Sequence, residues 1–207
     1  MNTTIWLARH GETQWAAEDK FNGLGDIDLT ERGREQARGL AARLRGRLLA
    51  AVYCSTLKRT YETACLVAKP HALEPVPRAA LCEVDYGAWD GVSRQAIIAQ
   101  YPDLYAAWAV DPAVVAPPGG ETGYAALSRA LVALRQILSD HPGQEVLIVA
   151  HKAINRLLLC DLLGLMPRAY RRRLGQQPCA LNCVEWCDGE PMVTLLNDVS
   201  HCQREDL

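Results

Sequence analysis

Two histidines and two arginines sit where a fold of alternating strands and helices would gather them. Arg9 and His10 follow the apolar run Thr3 to Ala8, Ser55 to Arg59 follow Ala51 to Cys54, and His151 follows Glu145 to Ala150, the most continuous strand pattern in the chain. Sheets with parallel strands bind ligands beyond the strands' carboxyl ends, so three strands deliver ionisable groups to one mouth. Guanidinium forks match phosphate oxygens and stay charged at any working pH; Arg9, Arg59, His10 and His151 together therefore suit a dianionic tetrahedral group. A neutral imidazole is a nucleophile toward phosphorus, and nearby arginines keep it neutral by disfavouring another positive charge. His10, between Arg9 and the flexible Gly11, is the candidate nucleophile. Taken singly, each histidine reads more simply as a hydrogen-bonded structural residue and Arg59 as a solvated helix arginine; their joint arrival at strand ends favours the chemical reading.

The elements that must position these groups are legible as repeating strand, loop and helix. Thr30 offers an N-cap to a helix with Ala37, Leu40, Ala41 and Leu44 on one face, ending near Gly46. A second helix runs from about Leu57 to Ala68, closed by Pro70. Thr122 caps a long amphipathic helix to about Asp140, and His151 opens another that Gly164 closes. Ala180 to Cys187 and Pro191 to Asn197 read as two strands joined at Asp188-Gly189, a hairpin signal. Between Leu81 and Gly120 glycines and prolines interrupt the pattern, leaving one or two short helices. The expectation is an α/β fold, a three-layer α/β/α sandwich around a mostly parallel sheet. It forms a single domain over 1–207, with 84–121 as a cap-like insertion.

Composition narrows the function further. The chain has 207 residues, 49% apolar and 22% charged, enough for a core without disulfides or a structural metal. A net charge of −2 lacks the basic field of a general nucleic-acid binder, leaving room only for a local cationic pocket. The longest charge-free run, Leu174 to Val184, is too short to cross a membrane, and the residues before Arg9 do not form a secretory signal. A soluble, cytoplasmic protein is expected, with no nucleic-acid or membrane partner; the pattern is silent on oligomeric state. Eight cysteines form no CxxC pair and lie mostly in apolar stretches, which favours buried free thiols. On a strand, Cys183 and Cys187 would share a face yet stand about 13 Å apart, too far for one ion.

The motifs also carry a resemblance. Arg9-His10-Gly11-Glu12-Thr13, Leu29-Thr30-x-x-Gly33-x-x-Gln36-Ala37 and Ser55-x-Leu57-x-Arg59-Thr60-x-x-Thr63-Ala64 are followed by Glu83-x-x-Tyr86-Gly87-x-Trp89-Asp90-Gly91. Pro118-Gly119-Gly120-Glu121, Val149-Ala150-His151 and Asn197-Asp198-Val199-Ser200-His201 complete an ordered set spanning nearly the whole chain. It resembles the histidine phosphatase superfamily, which includes the cofactor-dependent phosphoglycerate mutases, and within it the phosphatase branch similar to α-ribazole phosphatases and broad-specificity phosphatases. The resemblance implies a phosphoglycerate mutase-like fold and phosphoryl transfer without metal or cofactor. His10 would become a phosphohistidine, and Arg9, Arg59 and His151 would hold the phosphoryl oxygens. Glu83, at the family's acid position, would protonate the leaving oxygen and then deprotonate water. An ordinary carboxyl is ionised at neutral pH, so the site would have to favour its neutral form.

Three departures from the family pattern bear on the substrate. Ala16 follows Trp15 where the family often has Asn, removing a polar contact. Asn22 stands where phosphatase relatives often carry Gln, and is included as a phosphate-binding residue. Lys152 follows His151 in place of a small residue, and either lines the pocket or points to solvent. Arg171-Arg172-Arg173 reads as a solvated helix end, unless that helix returns to the sheet mouth and meets a substrate anion. Tyr86, Trp89, Tyr101, Tyr105 and Trp108 read as core packing, with an apolar lid as the other reading. The leading function is hydrolysis of a small phosphate monoester. A phosphoglycerate mutase and a non-catalytic phospholigand-binding regulator are the alternatives.

Overall fold

Apolar residues alternate along each central strand, and the alternation divides them between two cores. The computed structural model describes residues 2–202; Met1 and 203–207, which the single-domain reading includes, lie outside the described residues. In β1 (Thr3–Arg9), Ile5 and Leu7 enter one core while Trp6 and Ala8 enter the other. In β4 (Glu145–Ala150), Val146, Ile148 and Ala150 join the first core, and Leu147 and Val149 the second. Burial on both faces explains why these strands read as unbroken apolar runs. Helices α2 (Glu31–Leu44) and α3 (Lys58–Ala68) cover one face, and α6 (Gly123–Asp140) and α7 (Lys152–Leu162) the other.

With β2 (Leu49–Cys54), β3 (Val76–Pro77), β5 (Leu181–Cys187) and β6 (Glu190–Asp198), the sheet has the order β3-β2-β4-β1-β5-β6. Strands β1 to β4 pair in parallel, while β5 is antiparallel to both β1 and β6. The fold is thus the expected α/β sandwich with an antiparallel edge. Register does the positioning: Arg9 lies opposite Ala150 and Cys54 opposite Val149, so His10, Ser55 and His151 leave neighbouring strands at one level. The hairpin between β5 and β6 turns at Asp188 (φ 53°) and Gly189 (φ 88°), the left-handed pair of a tight two-residue turn.

Short elements depart from the sequence reading. Periodicity has no purchase on the two residues of β3 or the single turns α1 (Gln14–Ala17) and α8 (Tyr170–Arg173). Pro70 does not stop α3 cleanly; it sits inside a 3-10 turn, Lys69–His71, that extends it. The 84–121 segment carries α4 (Arg94–Gln100) and α5 (Pro102–Val110), which pack on their own cluster of Trp89, Ile97 and Trp108. Trp89 and Trp108 meet edge to face with centroids 5.3 Å apart, a core contact. Among the described residues no cysteine is joined in a disulfide. Among the described residues no helix is long and apolar enough to cross a membrane.

The loop after β1 is fixed against the start of α2. Thr30 caps that helix by accepting from the Gly33 N–H at 3.0 Å. A side chain on Gly11 would strike the Gly33 carbonyl, and one on Gly33 would strike the Glu12 carbonyl, so each glycine permits the other's approach. Gln36, one turn on, accepts the Glu12 N–H at 2.9 Å. Gly33→Ala is therefore expected to cost about 1–3 kcal/mol, the range for forcing atoms into packed space. Urea unfolding checks this, and a midpoint equal to wild type would show that the approach is not needed.

Candidate active site

His10 sits where β1 ends, almost fully buried, with its ring Nδ1 2.6 Å from the Gly11 carbonyl oxygen. A carbonyl only accepts, so Nδ1 carries the proton and Nε2 keeps its lone pair. The His151 ring stands 5.2 Å away, centroid to centroid, at 61°. Its Nε2 is engaged by Ser55 Oγ at 2.7 Å, and that hydroxyl meets Thr60 Oγ1 at 2.6 Å. Thr63 Oγ1 donates to the Arg59 carbonyl at 2.7 Å and accepts from the Gly11 N–H at 3.2 Å. The Ser55 to Ala64 motif thus ties α3 to both histidines.

The arginines are anchored through part of their guanidinium groups only. Arg9 Nη1 donates to the Gln176 carbonyl at 2.8 Å, and its buried Nε has no acceptor among the described residues. Arg59, fully buried, donates from Nη1 to Gly25 O at 2.7 Å and from Nη2 to Gly23 O at 2.6 Å; its Nε also has no acceptor among the described residues. Asp90 holds the other side of that turn, accepting from the Gly23 and Gly25 N–H groups at 2.7 and 2.6 Å. At the far end of the chain, Asn197 accepts the Gln177 N–H at 2.9 Å and His201 Nε2 meets the Cys179 carbonyl at 3.0 Å. These contacts secure the segment that carries Arg9's partner.

Glu83 is buried at the start of α7. Its carboxylate accepts from the N–H groups of Val84 (2.9 Å), Ala153 (3.0 Å) and Ile154 (3.2 Å). Three backbone donors, two of them at the start of α7, fix the position of this carboxyl group. Arg129, which sequence reasoning missed, grips the carbonyls of Ala80, Cys82 and Glu83 at 2.7 to 2.9 Å while pairing with Glu121. The Pro118–Glu121 motif thereby fixes the Glu83 turn, with Glu121 also accepting from the Asp85 N–H at 3.0 Å.

A cavity of about 460 Å³ opens above His10. Arg9, His10, Asn22, Glu83 and Lys152 line it; Arg59 and His151 are buried behind the wall. Asn22 Nδ2 donates to Thr13 Oγ1 at 3.0 Å, and its Oδ1 is buried without a partner. Ala16 faces the cavity, and Lys152 lines it while remaining exposed to solvent, so both readings of that cation hold. The arginine run is not simply solvated: Arg171 lines the cavity with its guanidinium 4.0 Å from the Trp108 ring centre, and Arg172 donates to Ala109 O at 2.8 Å. Tyr86 and Trp108 both pack in the core and reach this wall. Arg156 is a second lining residue missed from the sequence; its signal was its place one turn after Lys152 on α7. Among the described residues, no group of three His, Cys, Asp or Glu is placed to hold a metal.

Burial, then the charges of Arg59 and Arg9, hold His10 well below the usual imidazole range, against the opposing Gly11 contact. Burial and Arg59 do the same to His151, with His10 and Arg9 adding. Arg9 is lowered to about 10, chiefly by burial, and remains a cation at neutral pH. The arrangement can present a neutral ring nitrogen, fixed cations and a carboxylate to a tetrahedral anion.

Residues 5–199 match the profile of the histidine phosphatase superfamily (branch 1). The sequence is 35% identical over 158 residues to phosphoserine phosphatase 1 of Hydrogenobacter thermophilus, covering 76% of this chain and 75% of that one. It is 30% identical over 196 residues to adenosylcobalamin/alpha-ribazole phosphatase of Salmonella typhimurium, covering 93% and 95%. The solved structure of Bacillus stearothermophilus YhfR matches with a TM-score of 0.92 at 32% identity, covering 97% of this chain and 100% of that one. Against longer mycobacterial relatives the chain spans 55% of their length.

The depressed histidines have a consequence for stability. Unfolded, each takes up a proton near pH 6.5, while the folded site resists it, so stability is full above that pH and falls as pH drops below it. The slope should reach about 1.4 kcal/mol per pH unit for each histidine. Urea midpoints through this acid range should fall less steeply in His10→Asn than in wild type; equal slopes would show that His10 is not held neutral.

Proposed function

The chain belongs to the histidine phosphatase superfamily and is a phosphoric monoester hydrolase, and from that premise we propose that it hydrolyses a small phosphorylated metabolite, without a metal, through a phosphohistidine on His10. The observation that carries this reading is the His10 ring itself, buried beside Arg9 and Arg59 with Nδ1 on the Gly11 carbonyl and Nε2 unprotonated. In the first step the Nε2 lone pair attacks phosphorus, the ester P–O bond breaks, and the leaving oxygen takes a proton from Glu83. The arriving phosphate brings negative charge beside Glu83, which favours the neutral carboxyl needed at that moment. In the second step the Glu83 carboxylate takes a proton from water as its oxygen bonds to phosphorus. The N–P bond breaks, its electrons return to Nε2, and orthophosphate leaves.

The remaining residues take positioning and charge-stabilising roles in this reading. Arg9, Arg59 and His151 hold the phosphoryl oxygens as charge shifts, using the Nε groups and ring nitrogen that have no partner among the described residues. Asn22 and Lys152 contact the substrate from the cavity wall, and 84–121 acts as the cap-like insertion above it. Phosphoserine and α-ribazole phosphate, named for the relatives, define the first substrates to test. Cysteines outside disulfides suit a reducing, cytoplasmic setting.

A phosphate-release screen over sugar phosphates, nucleotides, phosphoglycerates and phosphoamino acids tests this reading. Turnover undiminished by EDTA is expected, whereas abolition by chelator would overturn the metal-free route. Glu83→Gln should lower turnover at least about a hundredfold, the low end for proton transfer by a positioned group. Near-normal turnover would remove Glu83 from the mechanism.

A further inference from the structure

The charged groups around the cavity do not balance. Asp19 holds Arg94 through two contacts, at 3.0 and 3.1 Å, and Glu12 faces Arg32 at 3.5 Å. These pairs neutralise themselves. Lys152 and Arg156, one turn apart on α7, and Arg171 on α8 line the same cavity, and none of them forms an ion pair with a carboxylate among the described residues. Glu83, the buried carboxylate nearby, is already occupied by three backbone N–H groups.

Of the three cations, Lys152 is exposed at the cavity wall, and Arg156 and Arg171 are half-buried. Arg171 is pinned over Trp108, and its neighbour Arg172 ties α8 to the end of α5 through Ala109 O and Val110 O. Arg156 is half-buried, and its Nε–H lacks an acceptor among the described residues. Their mutual repulsion is visible in their protonation: burial, then Arg9 and Arg156, push Lys152 down to about 8, and burial lowers Arg156 as well. In the reading above Arg9, Arg59 and His151 hold the transferred phosphoryl oxygens, which leaves Lys152, Arg156 and Arg171 with no carboxylate partner among the described residues. The whole molecule carries a net charge of −2, so the cluster is a feature of the cavity and not of a basic surface.

We propose that Lys152, Arg156 and Arg171 form a second anion subsite, and that the natural substrate is a small phosphate monoester whose leaving group carries a further carboxylate or phosphate. This rests on the hydrolase reading above and names the substrate class within it. The aromatic wall at Tyr86 and Trp108 would border the carbon skeleton between the two anions.

Matched pairs of esters test it. O-phosphoserine against O-phosphoethanolamine isolates a carboxylate, and fructose 1,6-bisphosphate against fructose 6-phosphate isolates a second phosphate. Wild type should prefer the more anionic member of at least one pair by about tenfold or more in kcat/KM, chiefly through KM, the size of one charge-assisted contact. Arg156→Gln should shrink that ratio, and Lys152→Gln with Arg171→Gln provides an independent variant should the first fold poorly. The arm showing the preference identifies the anion. Ratios within about threefold for both pairs, or a preference that both variants leave intact, would overturn the subsite while leaving the hydrolase reading standing. Failure of wild type to release phosphate from any ester would overturn both.

Discussion

A neutral imidazole inside a cationic shell is the condition on which the rest of the molecule depends. Burial and two guanidinium charges oppose protonation of His10, and the Gly11 carbonyl assigns its remaining proton to Nδ1. Holding Arg9 and Arg59 beside one another is electrostatically unfavourable, so each is anchored by backbone carbonyls, from Gln176 and from Gly23 and Gly25. Those carbonyls are fixed in turn by Asn197, His201 and Asp90. The motifs scattered along the chain are struts to one short loop.

The sheet supplies the geometry that the struts maintain. Because β1 and β4 are adjacent, parallel and in register to their last residues, two histidines far apart in sequence meet at 5.2 Å. The two-sided burial that makes β4 a continuous apolar run also makes it recognisable without a structure. Strand ends are thus both the most readable and the most functional points of this chain.

Legibility stopped where tertiary contacts decide. Strands β1 and β4 and helices α2, α3, α6 and α7 follow from period and capping, and Arg9, His10, Arg59 and His151 from the strand ends. Glu83 came only through resemblance, since nothing local to it shows that α7 will meet it with backbone N–H groups. Arg171 reads from sequence as part of a solvated end, because its contact with Trp108 joins residues 63 apart. Arg156 was within reach, one helical turn beyond Lys152, but helix spacing alone does not reveal a cavity. The depth of Arg59 and His151 behind the wall was likewise invisible, since polar residues are ordinarily exposed.

The central claim concerns one nitrogen, and its position on the ring can be read directly. Rapid alkaline quenching during turnover, followed by peptide mapping and phosphorus NMR, would locate any phosphoryl group and identify the nitrogen that carries it. The Nδ1–H bond to Gly11 requires the adduct on Nε2 of His10. Phosphate on Nδ1, on another residue, or on no residue while turnover proceeds would contradict the account.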